Sequence, residues 1–217
     1  SGLPYDTRRD FAPVALVAKT PLLLVVHPAV PARTVGEFLS LVKSKPGQVP
    51  VVSAAPGSMQ HVSAELFNVM AKTSVLMVPY KASAMAMTEV MGGQMHATCT
   101  AVPTLSLIAG GQKARVLGVT TRSPTALAPG QPTIAETLPG YELNGWYGLL
   151  TPPNTPQAVI TRLNREFTKL LAMPEVRERM LGVGVEPAPS TPAEFSAFLK
   201  KETERFAKVL KEAGIKA

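Results

Sequence analysis

Within residues 51–62 a short apolar run breaks at small residues and an amphipathic helix follows, a unit that every α/β fold contains several times. A strand ending near Ser53 leads through Pro56 and Gly57 into a helix that begins at about Gln60. Such units are typical of a parallel sheet covered by helices. The open amide groups of a first helical turn attract small anions. The residues alone leave two interpretations, an anion site or an ordinary turn between a strand and a helix.

The alternation of strand and helix extends along the chain. Apolar runs predict strands at residues 14–18, 22–27, 51–54, 75–78, 95–101, 115–120 and 143–150. Start signals predict helices from Thr34, Thr155 and Thr191, and a further helix spans about 60–72. We therefore predict an α/β fold with a mainly parallel central sheet flanked by helices.

Charge and composition favour a small anionic ligand over nucleic acid. The 217 residues carry a net charge of +7, but only four Tyr, one Trp and seven Phe accompany it, and the basic residues form no long run. Residues 38–135 contain seven basic side chains and two acidic ones, which attracts anions at long range. A solvated basic surface is the alternative interpretation.

The residues needed for most catalytic and metal chemistry are missing or scattered. Asp6 and Asp10 are the two aspartates, and the histidines at 27, 61 and 96 lie far apart without metal-ligand spacing. No glycine-rich nucleotide loop is present. Cys99, the single cysteine, is predicted to be an inert core thiol. An ester or acyl enzyme that uses Ser58 and His61 remains an alternative to a binding protein.

Ten short segments, in order along the chain, resemble the Bug or TctC-like family of extracytoplasmic solute-binding proteins from tripartite tricarboxylate transporters. The resemblance extends over nearly the whole chain and is specific in combination. The matching segments are Asp10-Phe11-Ala12-Pro13-Val14, Pro46-Gly47, residues 53–61, Glu65-Leu66-Phe67, Val78-Pro79-Tyr80-Lys81, Gly92-Gly93-Gln94, Leu117-Gly118-Val119-Thr120, Pro139-Gly140-Tyr141-Glu142, Gly145-Trp146-Tyr147-Gly148-Leu149 and Arg162-Leu163-Asn164.

The resemblance implies a type II periplasmic-binding-protein-like fold. It makes residues 20–142 one intact lobe, and residues 1–19 and 143–217 the crossing segments and a remnant of the other lobe. It also implies a periplasmic receptor, with no catalytic residue, metal or cofactor, that presents a small carboxylate to the membrane subunits of a transporter. The predicted ligand-binding residues are Ser53, Ala54, Gly57, Ser58, Met59, Gln60, His61, Tyr80, Lys81 and Thr100.

Two departures from the family pattern bear on the ligand. Relatives often have a small or hydroxylated residue in place of Met59 and proline in place of Gln60, and they often carry Asp-Asn where this chain has residues 98–101. Loss of that acidic side chain removes a hydrogen-bond acceptor, so the resemblance implies that amino-acid ligands are disfavoured.

Family members begin with a signal peptide and a glycine-rich loop, so the chain is expected to be a truncated form, with Ser1-Gly2 as a cloning scar. Such a form is expected to self-associate through two stripes of apolar side chains, which comprise Ile160, Leu163, Phe167, Phe198, Phe206 and Leu210. A fragment that acts only as an interaction module is a third alternative.

Overall fold

The computed structural model describes residues 4–6, 9–108 and 112–214. The dipeptide Ser1-Gly2 lies outside the described residues. The chain forms two compact units. Unit 1 comprises residues 1–20 and 146–208, and unit 2 comprises residues 21–145 and 209–215, as far as each range is described.

Seven strands and seven α-helices follow one another among the described residues. The strands are β1 (Ala12–Val26), β2 (Pro50–Ser53), β3 (Leu76–Pro79), β4 (Ala97–Ala101), β5 (Arg115–Val119), β6 (Asn144–Thr151) and β7 (Glu186–Pro187). The helices are α1 (Val35–Ser44), α2 (Met59–Ala71), α3 (Ser83–Met91), α4 (Leu105–Ile108), α5 (Gln157–Ala172), α6 (Pro174–Gly182) and α7 (Pro192–Glu212). Short 3₁₀ turns lie at Val102–Thr104 and Ile134–Glu136. No helix in the described part of the chain is both long and apolar enough to span a membrane.

The sheet of unit 2 has the strand order β3-β2-β4-β1-β5. Strand β2 is parallel to β3 and β4, whereas β1 is antiparallel to both β4 and β5. Four strands therefore share one direction and β1 runs against them. The sheet is mixed, and the common direction of four of its five strands agrees with the predicted mainly parallel arrangement.

Strand β1 corrects a prediction about element boundaries. The sequence predicted separate strands at residues 14–18 and 22–27, because Lys19 and Pro21 interrupt the apolar run. The structure has one strand of 15 residues. Its first part belongs to unit 1, where Ala18 and Lys19 pair with β7, and its last part lies between β4 and β5 in the unit 2 sheet.

Helix starts agree with the local signals in two of three cases. Thr34 caps α1, and Thr191 forms a reciprocal cap with Glu194 at the start of α7. Thr155 does not cap α5; its hydroxyl donates to the carbonyl of Pro152, and Pro156 is the N-cap.

Unit 1 buries part of its helices' apolar surface against its own strands. Ile160 packs against Val14 and Ala15, and Trp146 stacks edge-on against Phe195 and Phe198. Part of the Ile160 and Phe198 stripes is therefore covered within one chain. Residues 209–214, which include the C-terminal end of α7, belong to unit 2.

Candidate functional site

The carboxyl ends of β2, β3, β4 and β5 lie at one edge of the unit 2 sheet, because these strands share a direction. In open α/β sheets, ligands bind at this edge. The loops that leave the four strands there are residues 54–58, 80–82, 102–104 and 120–122. Most of the predicted site residues lie in the first two loops and at the start of α2.

Helix α2 begins at a turn whose backbone amides are partly hydrogen-bonded by the protein's own side chains. Ser58 is the N-cap, and its hydroxyl accepts from the His61 amide at 3.2 Å. The amide of Gly57, a residue with φ of +81°, donates to Nδ1 of His61 at 2.9 Å. Among the described residues, only Met59 and Gln60 then keep amides without an acceptor in this turn. Two predicted ligand-binding residues therefore have engaged amides, because His61 folds back over the loop to accept from Gly57, and the Ser58 amide donates to the carbonyl of Ala55.

The same contacts argue against a serine–histidine dyad. Nδ1 of His61 accepts a hydrogen bond from the Gly57 amide, and Nε2 lies 3.7 Å from Oε1 of Glu65. The hydroxyl of Ser63 lies instead beside Tyr141 and Cys99. In the described part of the chain, neither nitrogen of the His61 ring hydrogen-bonds a serine hydroxyl, so His61 activates no serine there.

A second helix start lies beside the first. Nε2 of Gln60 donates to the Ser83 hydroxyl at 2.6 Å, which ties the first turns of α2 and α3 together. The N-cap of α3 is Ala82, which has no side chain to cap the helix, so the first-turn amides of α3 are open to solvent. Lys81 is exposed beside this turn. Two helix N-termini and one lysine therefore face the same edge.

Ser83 was absent from the sequence-predicted residues. The signal that could have found it is the short polar break at residues 81–83, just before the apolar run of α3.

The structure places the side chain of Tyr80 away from the predicted site. Its ring packs against Val52, Ala86 and Val90. Partial burial of the phenol, together with the negative charge of Glu89, raises the pKa of Tyr80. The ring therefore lies under α3, and only the main chain of Tyr80, whose amide donates to Ser53, belongs to the edge.

Ser53, Ala54 and Thr100 are buried. The Ser53 hydroxyl donates to the carbonyl of Ala54, and the Thr100 hydroxyl lies 3.0 Å from that of Thr104. These residues lie beneath the surface of the sheet edge, and the hydroxyls of Ser53 and Thr100 form hydrogen bonds within the protein.

Behind α2 lies a buried polar cluster of Ser63, Cys99 and Tyr141. The enclosed cavity beside it has a volume of about 10 Å³, which is too small for a carboxylate ligand. Burial raises the pKa of the Cys99 thiol to about 11, although the Ser63 hydrogen bond acts in the opposite direction. The described residues contain no group of three or more His, Cys, Asp or Glu side chains that could hold a metal.

Comparison with known proteins assigns the fold to a family. The family model described as "Tripartite tricarboxylate transporter family receptor" matches residues 1–215. The chain belongs to this family. A relative encoded in the tcbD-tcbE intergenic region of Pseudomonas sp. strain P51 is 33% identical over 217 residues, which cover 99% of this chain and 65% of the relative. The chain thus spans slightly less than two thirds of the length of that TctC relative.

Solved TctC-type structures match the fold closely. An R. palustris protein solved with adipate has a TM-score of 0.83 at 32% identity, covering 97% of this chain and 71% of that protein. MatC from Rhodopseudomonas palustris, with bound malate, has a TM-score of 0.79 at 26% identity, covering 97% and 73%. The periplasmic binding protein BugD has a TM-score of 0.80 at 25% identity, covering 98% and 72%. The predicted α/β periplasmic-binding-protein-like class is confirmed.

Proposed function

We propose that this chain is a non-enzymatic solute receptor that binds a small dicarboxylate at the start of α2. The observation that carries the proposal is the R. palustris protein solved with adipate, because it matches 97% of the chain at 32% identity. The malate bound to MatC supports the same ligand class. Both ligands carry two carboxylates, which are the groups that open helix amides bind well.

The geometry of the edge supports this choice of ligand. The Met59 and Gln60 amides and the uncapped start of α3 present donors and positive dipole ends to one side of the sheet. Glu65 and Glu89, the acidic residues of the 38–135 segment, contact His61 and Tyr80 respectively. A carboxylate therefore meets donors at this edge, while the nearby carboxylates are engaged elsewhere.

The expected affinity follows from the number of donors. Charge-assisted hydrogen bonds contribute about 1.5–3 kcal/mol each, so the two α2 amides together support binding with a Kd of roughly 1 mM or somewhat tighter. Binding in this range is measured well by NMR titration.

The decisive variant is Met59→Pro. Met59 is the first residue of α2, where proline is favoured, and Ser58 before it has the extended backbone that a following proline requires. The substitution therefore removes one open amide without disturbing the helix. We expect adipate binding to weaken by about 1.5–3 kcal/mol, the usual contribution of one hydrogen bond to a charged group. Met59→Leu, which keeps the amide, is the matched control.

The measurement is a ¹H–¹⁵N titration with adipate, with the neutral adipamide as a ligand control. The Met59 and Gln60 amides should move with adipate and stay still with adipamide. Equal adipate affinity in the proline and leucine variants, or shifts confined to surfaces remote from these amides, would contradict the proposed site.

We also propose that the protein works in the periplasm and delivers its solute to the membrane subunits of a tripartite transporter. Members of the family are periplasmic binding proteins, and the family model describes receptors of such transporters. Residues 20–142 are then the carboxylate-binding lobe, while 1–19 and 143–217 belong to the other lobe.

We further propose that the 217-residue chain forms a homodimer through unit 1. Several large apolar side chains of this unit are exposed, although the Ile160 and Phe198 stripes are partly covered within the chain. The exposed side chains on β6 and α5 are Tyr147, Leu150, Val159 and Leu170. Apolar surface of this kind is commonly covered by an identical chain.

A further inference from the structure

Tyr141 lies in residues 139–142, one of the segments that resemble the family. The proposed carboxylate site does not use this segment directly. Its side chain is 1% exposed and is the largest of the fully buried side chains. The hydroxyl lies 2.8 Å from the Ser63 hydroxyl and donates to the Ser63 carbonyl at 3.0 Å. Ser63 in turn donates to Sγ of Cys99 on β4 at 3.1 Å. One tyrosine therefore joins α2, through Ser63, to the central sheet and to the segment that leads into β6.

Ser63 is the one polar residue among the five buried residues of α2. The other four, Val62, Ala64, Phe67 and Ala71, make apolar contacts, which are less directional. Hydrogen bonds are directional and act over a narrow range of distances. The contacts at Ser63 therefore restrain the register of α2 more sharply than the apolar contacts of its buried face do.

Tyr141 can act as an anchor because its own segment is fixed. Its amide donates to the Leu138 carbonyl at 2.9 Å, and two residues later the Leu143 amide donates to the Thr120 carbonyl at 2.9 Å. Thr120 follows directly on β5, at the same edge as the proposed site. These main-chain bonds tie the segment that carries the Tyr141 hydroxyl to the same sheet edge that the ligand would meet.

We propose that Tyr141 is a positioning residue for the carboxylate site. Four residues, or about 6 Å of helix, separate Ser63 from Met59. A shift of α2 at Ser63 therefore moves the open Met59 and Gln60 amides by a similar amount. This inference rests on the proposed dicarboxylate site, and it adds that the site keeps its geometry through a hydroxyl that never touches the ligand.

The test compares Tyr141→Phe with Leu127→Ala in the 217-residue chain. Leu127 is buried in a separate core cluster of unit 2, with Leu23 and Val119, so its truncation lowers stability without touching α2. We expect both variants to lower the urea midpoint. Only Tyr141→Phe should weaken adipate binding, by at least fivefold, and move the Met59 and Gln60 amide resonances of the ligand-free protein.

Ser63→Ala removes the hydroxyl–hydroxyl contact but keeps the carbonyl that accepts from Tyr141, and it serves as a second variant if Tyr141→Phe does not fold. It should also weaken adipate binding. The double variant should lose less affinity than the two single losses multiplied together, because both substitutions remove the hydroxyl–hydroxyl contact. Independent, multiplying losses would contradict the assignment.

The failures of the two proposals are distinguishable. If the unmodified chain binds adipate and Tyr141→Phe binds it within twofold, the positioning role is wrong. If the unmodified chain does not bind adipate, the proposed function is wrong, and the ligand-free amide resonances decide the positioning role. Unchanged Met59 and Gln60 resonances in both Tyr141→Phe and Ser63→Ala would then overturn it.

Discussion

Individual side chains at the α2 start decide what this edge of the sheet can do. His61 was expected to face a ligand or a serine, but its ring accepts from Gly57 and approaches Glu65 instead. The imidazole of His61 therefore stabilises the loop before α2. It removes one amide from the anion-binding set and leaves the Met59 and Gln60 amides as the donors available in that turn.

Cys99 offers a direct test of the buried cluster behind α2. Because burial raises its pKa to about 11, only about one thiol in a thousand is ionised near pH 8. We expect the native protein to react with a disulfide reagent many times more slowly than the unfolded chain, in which the thiol is exposed. Absorbance after adding the reagent, with and without guanidinium, measures both rates. Rapid reaction of the native thiol would mean that the cluster opens readily.

His96 gives the protein a component of acid sensitivity. Partial burial, with the charges of Lys45 and His27 as smaller causes, lowers its pKa in the folded state. The folded state then binds fewer protons than the unfolded one, so this contribution to stability is present above the unfolded pKa of about 6.5 and is lost as the pH falls below it. His96→Asn should reduce the loss of urea midpoint between about pH 7.5 and pH 5.5. An identical loss in both proteins would rule out this role for His96.

At the scale of the elements, strand β6 and helix α7 pack closely because position 148 on β6 is a glycine. A Cβ at position 148 would overlap the ring of Phe195, which is fully buried and cannot swing away. Gly148→Ala should therefore destabilise the protein by about 1–3 kcal/mol, the usual cost of overpacking. Adding Phe195→Leu should recover part of that loss, because the shorter side chain makes room for the methyl group.

Denaturant unfolding measures the stability of Gly148→Ala and of its combination with Phe195→Leu. Gly182→Ala is the control. Gly182 ends α6 with open space around its Cβ position, so alanine there should be neutral or stabilising by up to about 1 kcal/mol. A Gly148→Ala protein as stable as the parent would show that β6 and α7 pack more loosely than the structure indicates.

At the scale of the whole molecule, the proposed homodimer is the property that solution measurements test directly. Light scattering at high protein concentration should give twice the mass of one chain. Leu150→Glu should lower that mass toward the monomer, because it places a charge among the exposed apolar side chains of unit 1. Leu107→Glu is the control, since Leu107 is 69% exposed and lies in unit 2. A monomer at all concentrations would defeat the proposal.

The sequence by itself determined the features that depend on neighbouring residues. Thr34 and Thr191 predicted helix starts because a cap and its partner lie three residues apart. Apolar periodicity located most strands and helices, and ordered short motifs identified the family, since each of these signals is contained in a local stretch of chain.

Only the tertiary structure decided how distant segments meet. It placed β1 antiparallel between β4 and β5, turned the Tyr80 ring under α3, and brought Tyr141 to Ser63, which is 78 residues away in the chain. These contacts depend on which buried surfaces and polar groups satisfy one another across the core, and a local pattern holds no information about its distant partner. The donors at the proposed site follow from those long-range contacts, which is why residue type identified the loop but not the amides that remain open within it.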